Sequence, residues 1–378
     1  MLLEKTITTG GTTEAKESFI LNLGPQHPAT HGVLRLKLTM DGEYITRAEP
    51  VCGYIHRMHE KMGENRTYAQ FLPNTSRIDY LSAMHYTHAF VGVVERAAGL
   101  EVPPRAEYIR VITSELNRIS SHLVWFGAFL LDLGGFTPLL YAFDDREKIL
   151  DLLEGITGAR LTYCYYRFGG LSNDVDDEFL TGTREFVTYM RPRLDMYRGL
   201  VTGNIILRKR LEGIGPISAE MCRKYGATGP VIRGSGVPHD VRKVQPYSVY
   251  PEFDFSIPVY PECDCMARYL VRMEEMEQSL RIIEQALAKL PEGPVMAAKV
   301  PRVVKLPPGD YYYAVEAARG RFAVRVVSDG KEIPYRLKLR TPSFANLTLF
   351  EEASAGMMLP DALALMGSLD LVIPDLDR

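Results

Sequence analysis

The chain of 378 residues has few cysteines, Cys52, Cys164, Cys222, Cys263 and Cys265, and no CxxC pair among them. An odd count without paired spacing speaks against a disulfide framework. A zinc or iron–sulfur site held by this chain alone would need several thiolates or imidazoles at short spacing. Free thiols in a reducing compartment are the plain reading. Neither sign of charge is in excess, since 44 Lys+Arg against 47 Asp+Glu leave −3, whereas nucleic-acid binding shows itself as a basic surplus. Nucleotide loops are missing too. The glycine clusters at 213–218 and 226–236 fit neither GxGxxG after a strand nor GxxxxGK[ST], so nothing cradles the phosphates of NAD or ATP. GxSxG and HExxH are absent, which removes the usual hydrolase nucleophile and zinc motifs. The first residues turn polar too soon for a signal peptide, so export is not indicated. One apolar run, 123–143, carries a single charge and is long enough to span a bilayer. Asp132, Gly134, Gly135 and Pro138 would interrupt it in lipid, and it reads as the end of a buried helix and a turn.

Hydrophobic residues make up 46% and charged residues 24%, the balance of a folded globular protein. Alternation on both sides of a Gly/Pro/His loop in FILNLGPQHPATHGVLRLKLTMDGEYI, with an Asp41-Gly42 turn, predicts an N-terminal antiparallel sheet. After Pro73 and Asn74, Thr75 or Ser76 caps a helix to about Leu100, with Ile78, Leu81, Met84, Val91 and Val94 on its apolar face. Pro104 opens a second long helix that stops at Gly134-Gly135. Further helices are expected from Asp144 or Asp145 to Gly158 and at roughly 176–202, 216–226 and 264–290. Strands return from Tyr311, with Asp329-Gly330 as a hairpin turn, and a helix near 360–367 follows. No repeat and no low-complexity linker divides the chain. The pattern predicts α+β architecture, a central helical bundle flanked by the N-terminal sheet and a small C-terminal β region. The expected divisions are 1–72, 73–300 and 301–378.

Several residues carry chemistry. GPQHPATHG places His27 and His31 in a loop stiffened by Pro25 and Pro28. Two imidazoles there can be metal ligands, a proton donor with its helper, or structural hydrogen-bonding groups, and the structural role leads. Asp132, inside its apolar run, is expected to be desolvated unless paired, with a histidine as a suitable partner. Tyr80, at a helix start in SRIDYL, offers a phenolic donor on an apolar body, fit to hold a carbonyl oxygen, or else is a core tyrosine. Arg57 and Arg77 lie in core-like sequence; exposure is the usual state, and burial would imply a fixed anionic partner.

Together these segments resemble the large catalytic-core D subunit of respiratory complex I, the proton-translocating NADH:quinone oxidoreductase. The stretches that carry the resemblance are LNLGPQHPATHGVLRLKLTMDGE, GYIHRMHEKMGENRTY, RIDYLSAMH, ELNRISSHLVWFGAFLLDLGGFTPLLYAFDDRE, GSGVPHDVRKVQPY, LVRMEEMEQSLRIIEQAL, VSDGKEIPYRLKLRTPSFANL and GSLDLVIPDLDR. They run nearly end to end and in order. That family is similar to the large subunit of NiFe hydrogenases, whose metal is held by two CxxC pairs. Here the first pair falls on Asp79 and Ser82 and the second on Val372 and Asp375, so all four thiolates are absent and hydrogenase chemistry is disfavoured.

The resemblance implies a NiFe-hydrogenase large-subunit-like fold with a quinone pocket. His31 and Tyr80 match the ligands of the two headgroup carbonyl oxygens, and Asp132 matches the carboxylate that pairs with the histidine. Electrons would come from a 4Fe-4S cluster in a neighbouring B-type subunit, with Arg57 and Arg77 beside it, and this chain would hold no metal or cluster of its own. C-type, ferredoxin-like I-type and membrane H-type subunits are the other implied partners. The implied place is the cytoplasmic side of the cell inner membrane. The donor, whether NADH, ferredoxin or reduced deazaflavin, would be oxidised by other subunits. Two features depart from the family. The motif RxHxxYxRxGG has Thr162 in place of its histidine, which implies a lower, less pH-dependent cluster potential suited to a quinone such as menaquinone. The 291–308 segment is shorter than in most homologues. Competing readings are a related membrane oxidoreductase with another donor or acceptor, and a non-catalytic scaffold subunit.

Overall fold

The computed structural model describes residues 2–5, 18–26 and 32–378. His27 and His31 lie outside the described residues. Strands β1 (Leu2–Lys5), β2 (Ser18–Leu23), β3 (Arg35–Asp41) and β4 (Tyr44–Val51) pair in sequence order as an antiparallel sheet. The Asp41-Gly42 turn falls where the dipeptide predicts it, with Asp41 facing Tyr44. Every second side chain of β3, Leu36, Leu38 and Met40, is buried, so one face of the sheet lies on the core.

Helices α1 (His59–Gly63) and α2 (Tyr68–Thr75) come next. A capping box opens α2: the Gln70 amide donates to Thr67 Oγ1 at 3.3 Å, and the Thr67 amide donates to Gln70 Oε1 at 3.1 Å. Pro73 sits inside α2 rather than at a break. The helix expected from Thr75 or Ser76 begins only with α3 (Ala83–Ala98). Asp79 is the reason, because its Oδ1 accepts from the amides of Leu81 and Ser82 at 3.1 and 3.2 Å and holds 76–82 as a turn. Helix α4 (Pro104–Asp132) runs as expected from Pro104. The break after it is shorter than expected. Pro138, read as a breaker, lies in the first turn of α5 (Thr137–Thr157), where a missing N–H costs nothing, so α5 starts well before Asp144. Among the described residues no helix is long and apolar enough to cross a membrane.

A short hairpin, β5 (Tyr166–Arg167) and β6 (Gly170–Leu171), precedes α6 (Asp177–Tyr197), which passes into a π-helical turn at Arg198–Thr202. Of the short helices α7 (Ile205–Leu211), α8 (Ala219–Tyr225), α9 (Pro230–Arg233) and α10 (Val241–Val244), only α8 matches an expected span. Helix α11 (Cys265–Lys289) matches its own, its first turn capped by Asp264. The 291–308 segment docks on the short hairpin, with Leu171 N donating to Val295 O at 3.0 Å and Ala297 N to Gly169 O at 2.8 Å. Strands β7 (Gly309–Ala317), β8 (Gly320–Ser328) and β9 (Arg336–Arg340) form a second antiparallel sheet. Asp329-Gly330 lies in a β8–β9 connection longer than a two-residue turn. Helices α12 (Pro342–Ala353), α13 (Leu359–Leu369) and α14 (Ile373–Asp377) follow, and only α13 answers to a helix expected from the sequence.

The architecture is therefore the expected α+β one, with α3, α4 and α11 burying most of their side chains at the centre. Their interior holds charge as well as hydrocarbon. Arg118 and Arg242 bond the carboxylate of Glu115, Arg233 bonds Glu275 and Glu316, and His122 Nε2 lies 2.8 Å from Glu275. Burial would raise the Glu115 carboxyl, yet Arg118 and Arg242 hold it far below the ordinary range. One close approach positions the site described next. A Cβ on Gly320 would lie 2.6 Å from the Gly229 nitrogen, and a Cβ on Gly229 would lie 2.4 Å from the Arg319 oxygen. Only glycines let the β7–β8 turn reach α9 this closely, and that contact seats Arg319.

Candidate functional site

The 76–82 turn carries Tyr80 on its outer side and Asp79 on its inner side. Tyr80 is 36% exposed, so it is not a core tyrosine, and Asp79 is fully buried. Arg319, also buried, reaches from the β7–β8 turn and donates from Nη1 to Asp79 Oδ2 at 2.9 Å, Ser121 Oγ at 3.1 Å and Ser82 Oγ at 3.2 Å. Its Nη2 donates to Asp370 Oδ1 at 3.1 Å. Arg272 on α11 lies 3.8 Å from Asp370 Oδ2 and stacks over Trp125 at 4.3 Å. Burial, followed by the negative charge of Asp79, raises the Tyr80 phenol above its ordinary value. The group therefore keeps its proton through the neutral range and acts as a hydrogen-bond donor.

A second segment meets this turn. Asp375 on α14 accepts from the Tyr86 hydroxyl at 2.5 Å and from the Ser343 amide at 3.0 Å, and Ser343 Oγ accepts from the Val372 amide at 3.3 Å. The four positions 79, 82, 372 and 375, where a hydrogenase would place thiolates, are thus gathered around buried side chains of α3, α12 and the Arg319 turn. They hold two carboxylates, a hydroxyl and a valine. Gly32, the residue after His31, lies against the same segment, since a Cβ there would be 3.2 Å from Ile373 Cγ1.

Asp132 ends α4 and is half-buried, not enclosed in the apolar interior as its sequence context suggests. The helix ends at this residue, which turns the carboxylate toward α13, and its Oδ2 would be 3.8 Å from a Cβ on Gly367. A cleft of about 390 Å³ opens beside this helix end, between Leu130, Leu133, Phe136 and Pro138 on one side and Leu200 and Ile206 on the other.

Arg57 and Arg77 are exposed and adjacent. The Arg57 guanidinium donates to the Arg77 carbonyl at 2.6 Å, and Arg77 reaches Ser76 Oγ at 3.1 Å and the Pro73 carbonyl. Ser76 Oγ also donates to the Thr162 carbonyl at 3.4 Å, which brings position 162 to the same face. Thr162 has φ +50°, a costly conformation for a β-branched residue. The loop carrying Arg57 is held from far along the chain: the amides of Gly53 and Ile55 donate to the two Asp377 carboxylate oxygens at 2.8 and 2.9 Å, and His56 Nδ1 donates to its carbonyl at 2.6 Å.

Sequence reasoning singles out Tyr80, Asp132, Arg57 and Arg77 but misses Arg319, Tyr86, Asp370 and the role of Asp79 in shaping the turn. Arg319 stands before a glycine at a hairpin turn, which reads as an ordinary surface arginine.

Residues 132–305 and 298–378 match the family described as respiratory-chain NADH dehydrogenase, 49 Kd subunit. The chain is 78% identical over 362 residues to a D-type NADH-quinone oxidoreductase subunit of Opitutus terrae, the second so named there, covering 96% of this chain and 91% of that protein. It is 72% identical to the D-type NADH-quinone oxidoreductase subunit of Desulfotalea psychrophila, covering 96% and 97%. The counterpart from Geobacillus kaustophilus is 50% identical over 96% of this chain and 98% of its own. The chain belongs to the 49 kDa, or D-type, subunit family of complex I. Within this family the mixed fold is expected, and antiparallel sheets around a central helical bundle are the observed form of it.

Proposed function

We propose that this D-family chain is the quinone-binding subunit of the peripheral arm of a proton-translocating complex I, on the cytoplasmic side of the inner membrane. Electrons arrive from a 4Fe-4S cluster held by a neighbouring B-type subunit. The observation that carries the reading is a protonated, partly exposed Tyr80 on a turn fixed from beneath by the buried Asp79–Arg319 pair. Quinone reduction takes up two protons as well as two electrons, so it needs donors fixed at the carbonyl oxygens. Tyr80 donates to one oxygen and His31 to the other, and Asp132 stabilises the imidazolium. Gly32 lies beside Ile373. Arg57 and Arg77 present two exposed positive charges on one patch, which favours the reduced form of a cluster docked there. The apolar side chains exposed near Asp132, Phe136, Leu140, Leu200 and Ile206 among them, suit burial by another subunit such as the membrane H-type partner.

The test is His31→Ala in the native complex purified from membranes, with donor:quinone turnover measured and cluster reduction followed by EPR. The expected result is a reducible cluster with turnover collapsed. Full turnover with a normal cluster would instead favour the scaffold role.

Thr162 gives a second expectation. Its carbonyl meets Ser76 next to Arg77, and its side chain does not titrate. Thr162→His is expected to raise the cluster potential and make it more pH-dependent. A redox titration with the same slope in both proteins would sink this idea.

A further inference from the structure

Arg57 stands on a loop with few ties of its own. Between β4 and α1, residues 52–54 and 56–58 are exposed, and within 52–57 the described backbone contributes one hydrogen bond, from the His56 amide to the Gly53 carbonyl at 3.2 Å. The Arg57 guanidinium nonetheless has a defined place. It donates to the Arg77 carbonyl at 2.6 Å, and among the described residues no carboxylate pairs with it, so its charge is open to a docked partner. Met58 follows at φ +54°, a conformation that a bulky side chain adopts only where the flanking structure imposes it. That structure comes from the far end of the chain. The buried carboxylate of Asp377 accepts from the Gly53 amide on Oδ1 at 2.8 Å and from the Ile55 amide on Oδ2 at 2.9 Å, and its carbonyl oxygen lies 2.6 Å from His56 Nδ1. Both oxygens of an anion are thus spent on two backbone N–H groups of the loop, the stronger kind of hydrogen bond. Helix α14 is anchored in its turn, since Asp375 holds Tyr86 and the Ser343 amide, and Arg378 donates to the Leu339 carbonyl at 3.0 Å and stacks over Phe344 at 4.7 Å. On the other side of Arg57, Glu60 of α1 accepts from the Leu339 amide at 3.0 Å and pairs with Lys338 at 3.2 Å.

We propose that Asp377 is a positioning residue for electron delivery: its carboxylate clamps residues 53–56 and thereby keeps the Arg57 guanidinium on the Arg77 carbonyl, where the two positive charges form one patch. The inference rests on the reading of Arg57 and Arg77 as neighbours of the partner's cluster. Asp377 acts through Arg57 and not by its own charge. A negative charge near a cluster opposes reduction, whereas a positive charge held there favours it. Neutralising Asp377 would therefore ease reduction if only its field mattered. If its task is to place Arg57, the same substitution frees the loop, lets the arginine drift into solvent where its charge is screened, and makes reduction harder. The two roles predict shifts of opposite sign.

The experiment is an EPR redox titration of the cluster in the purified complex of wild type, Arg57→Ala, Asp377→Asn and the double variant. An asparagine side chain offers one acceptor oxygen in place of two, so it cannot hold both amides. Asp377→Asn is expected to shift the cluster several-fold toward its oxidised form, in the same direction as Arg57→Ala, and to produce no further downward shift when Arg57 is already alanine. An unchanged or raised potential in Asp377→Asn, beside a lowered one in Arg57→Ala, overturns the proposal and leaves the cluster reading standing. An unchanged potential in Arg57→Ala overturns that reading, and the proposal falls with it. Hydrogen exchange on the wild-type complex, resolved to single amides and corrected for intrinsic rates, decides the case where the Asp377 variant does not assemble. The Gly53 and Ile55 amides are expected to exchange about tenfold or more slowly than the Tyr54 amide between them, which has no acceptor among the described residues. Equal exchange at the three positions overturns the clamp, whatever Arg57 does at the cluster.

Discussion

Tyr80→Phe is expected to lower donor:quinone turnover by about 100-fold or more, the scale of losing one positioned proton donor. Assembly and cluster reduction should be unchanged. The ring is partly exposed and its hydroxyl makes no hydrogen bond to the described residues that the fold depends on, so removing one oxygen leaves the turn intact. The turn is held instead by Asp79, through the amides of Leu81 and Ser82, and by Arg319. A phenylalanine keeps the apolar body that would line a quinone pocket and removes only the donor. The loss should therefore appear in kcat more than in KM. Wild-type turnover in a complex that carries the variant would leave Tyr80 without a catalytic role and move the scaffold reading ahead.

The largest effect on stability is expected from Arg319→Leu. Arg319 is buried and bonds two carboxylates and two hydroxyls drawn from the 76–82 turn, α4 and the end of α13. Taking away the guanidinium leaves the buried Asp79 without a cation and Asp370 with the more distant Arg272 alone, at a cost of about 3–5 kcal/mol. Thermal inactivation of the complex should move down by several degrees, and limited proteolysis should open the 76–82 turn first. The penalty belongs to the unpaired charges and not to lost packing. Adding Asp79→Asn and Asp370→Asn to Arg319→Leu should therefore recover much of the stability. An unchanged inactivation temperature in the single variant would contradict the assignment of Arg319 as the central tie.

Local signals in the sequence are legible where they act alone. Asp41-Gly42 makes its hairpin, Pro104 opens α4, and the apolar spacing across 264–290 becomes α11. They fail where a side chain competes with the backbone or where position in a helix changes the meaning of a residue. Asp79 takes the amides that a helix from Thr75 would have used, and Pro138 begins a helix instead of ending one. Tyr80 stands out by its chemistry, but its exposure follows from that turn and cannot be read beforehand. Asp132 looks buried because its neighbours are apolar, yet it is the residue at which its helix ends. The ion cluster is illegible for a different reason. Asp79 and Arg319 are 240 positions apart, and nothing local in either segment announces the other.

The dependence of the Arg57 loop on Asp377 also has a consequence for how the protein is made. The Gly53 amide waits for a carboxylate 324 positions later, and Asp79 and Tyr86 wait for Arg319, Asp370 and Asp375. A ribosome that has finished the 52–86 region has therefore released a face whose supports have not yet been translated. Until residues 370–377 emerge, the loop lacks its clamp and Arg319 lacks one of its two carboxylates. The face built by the 52–86 region is thus completed only late in synthesis.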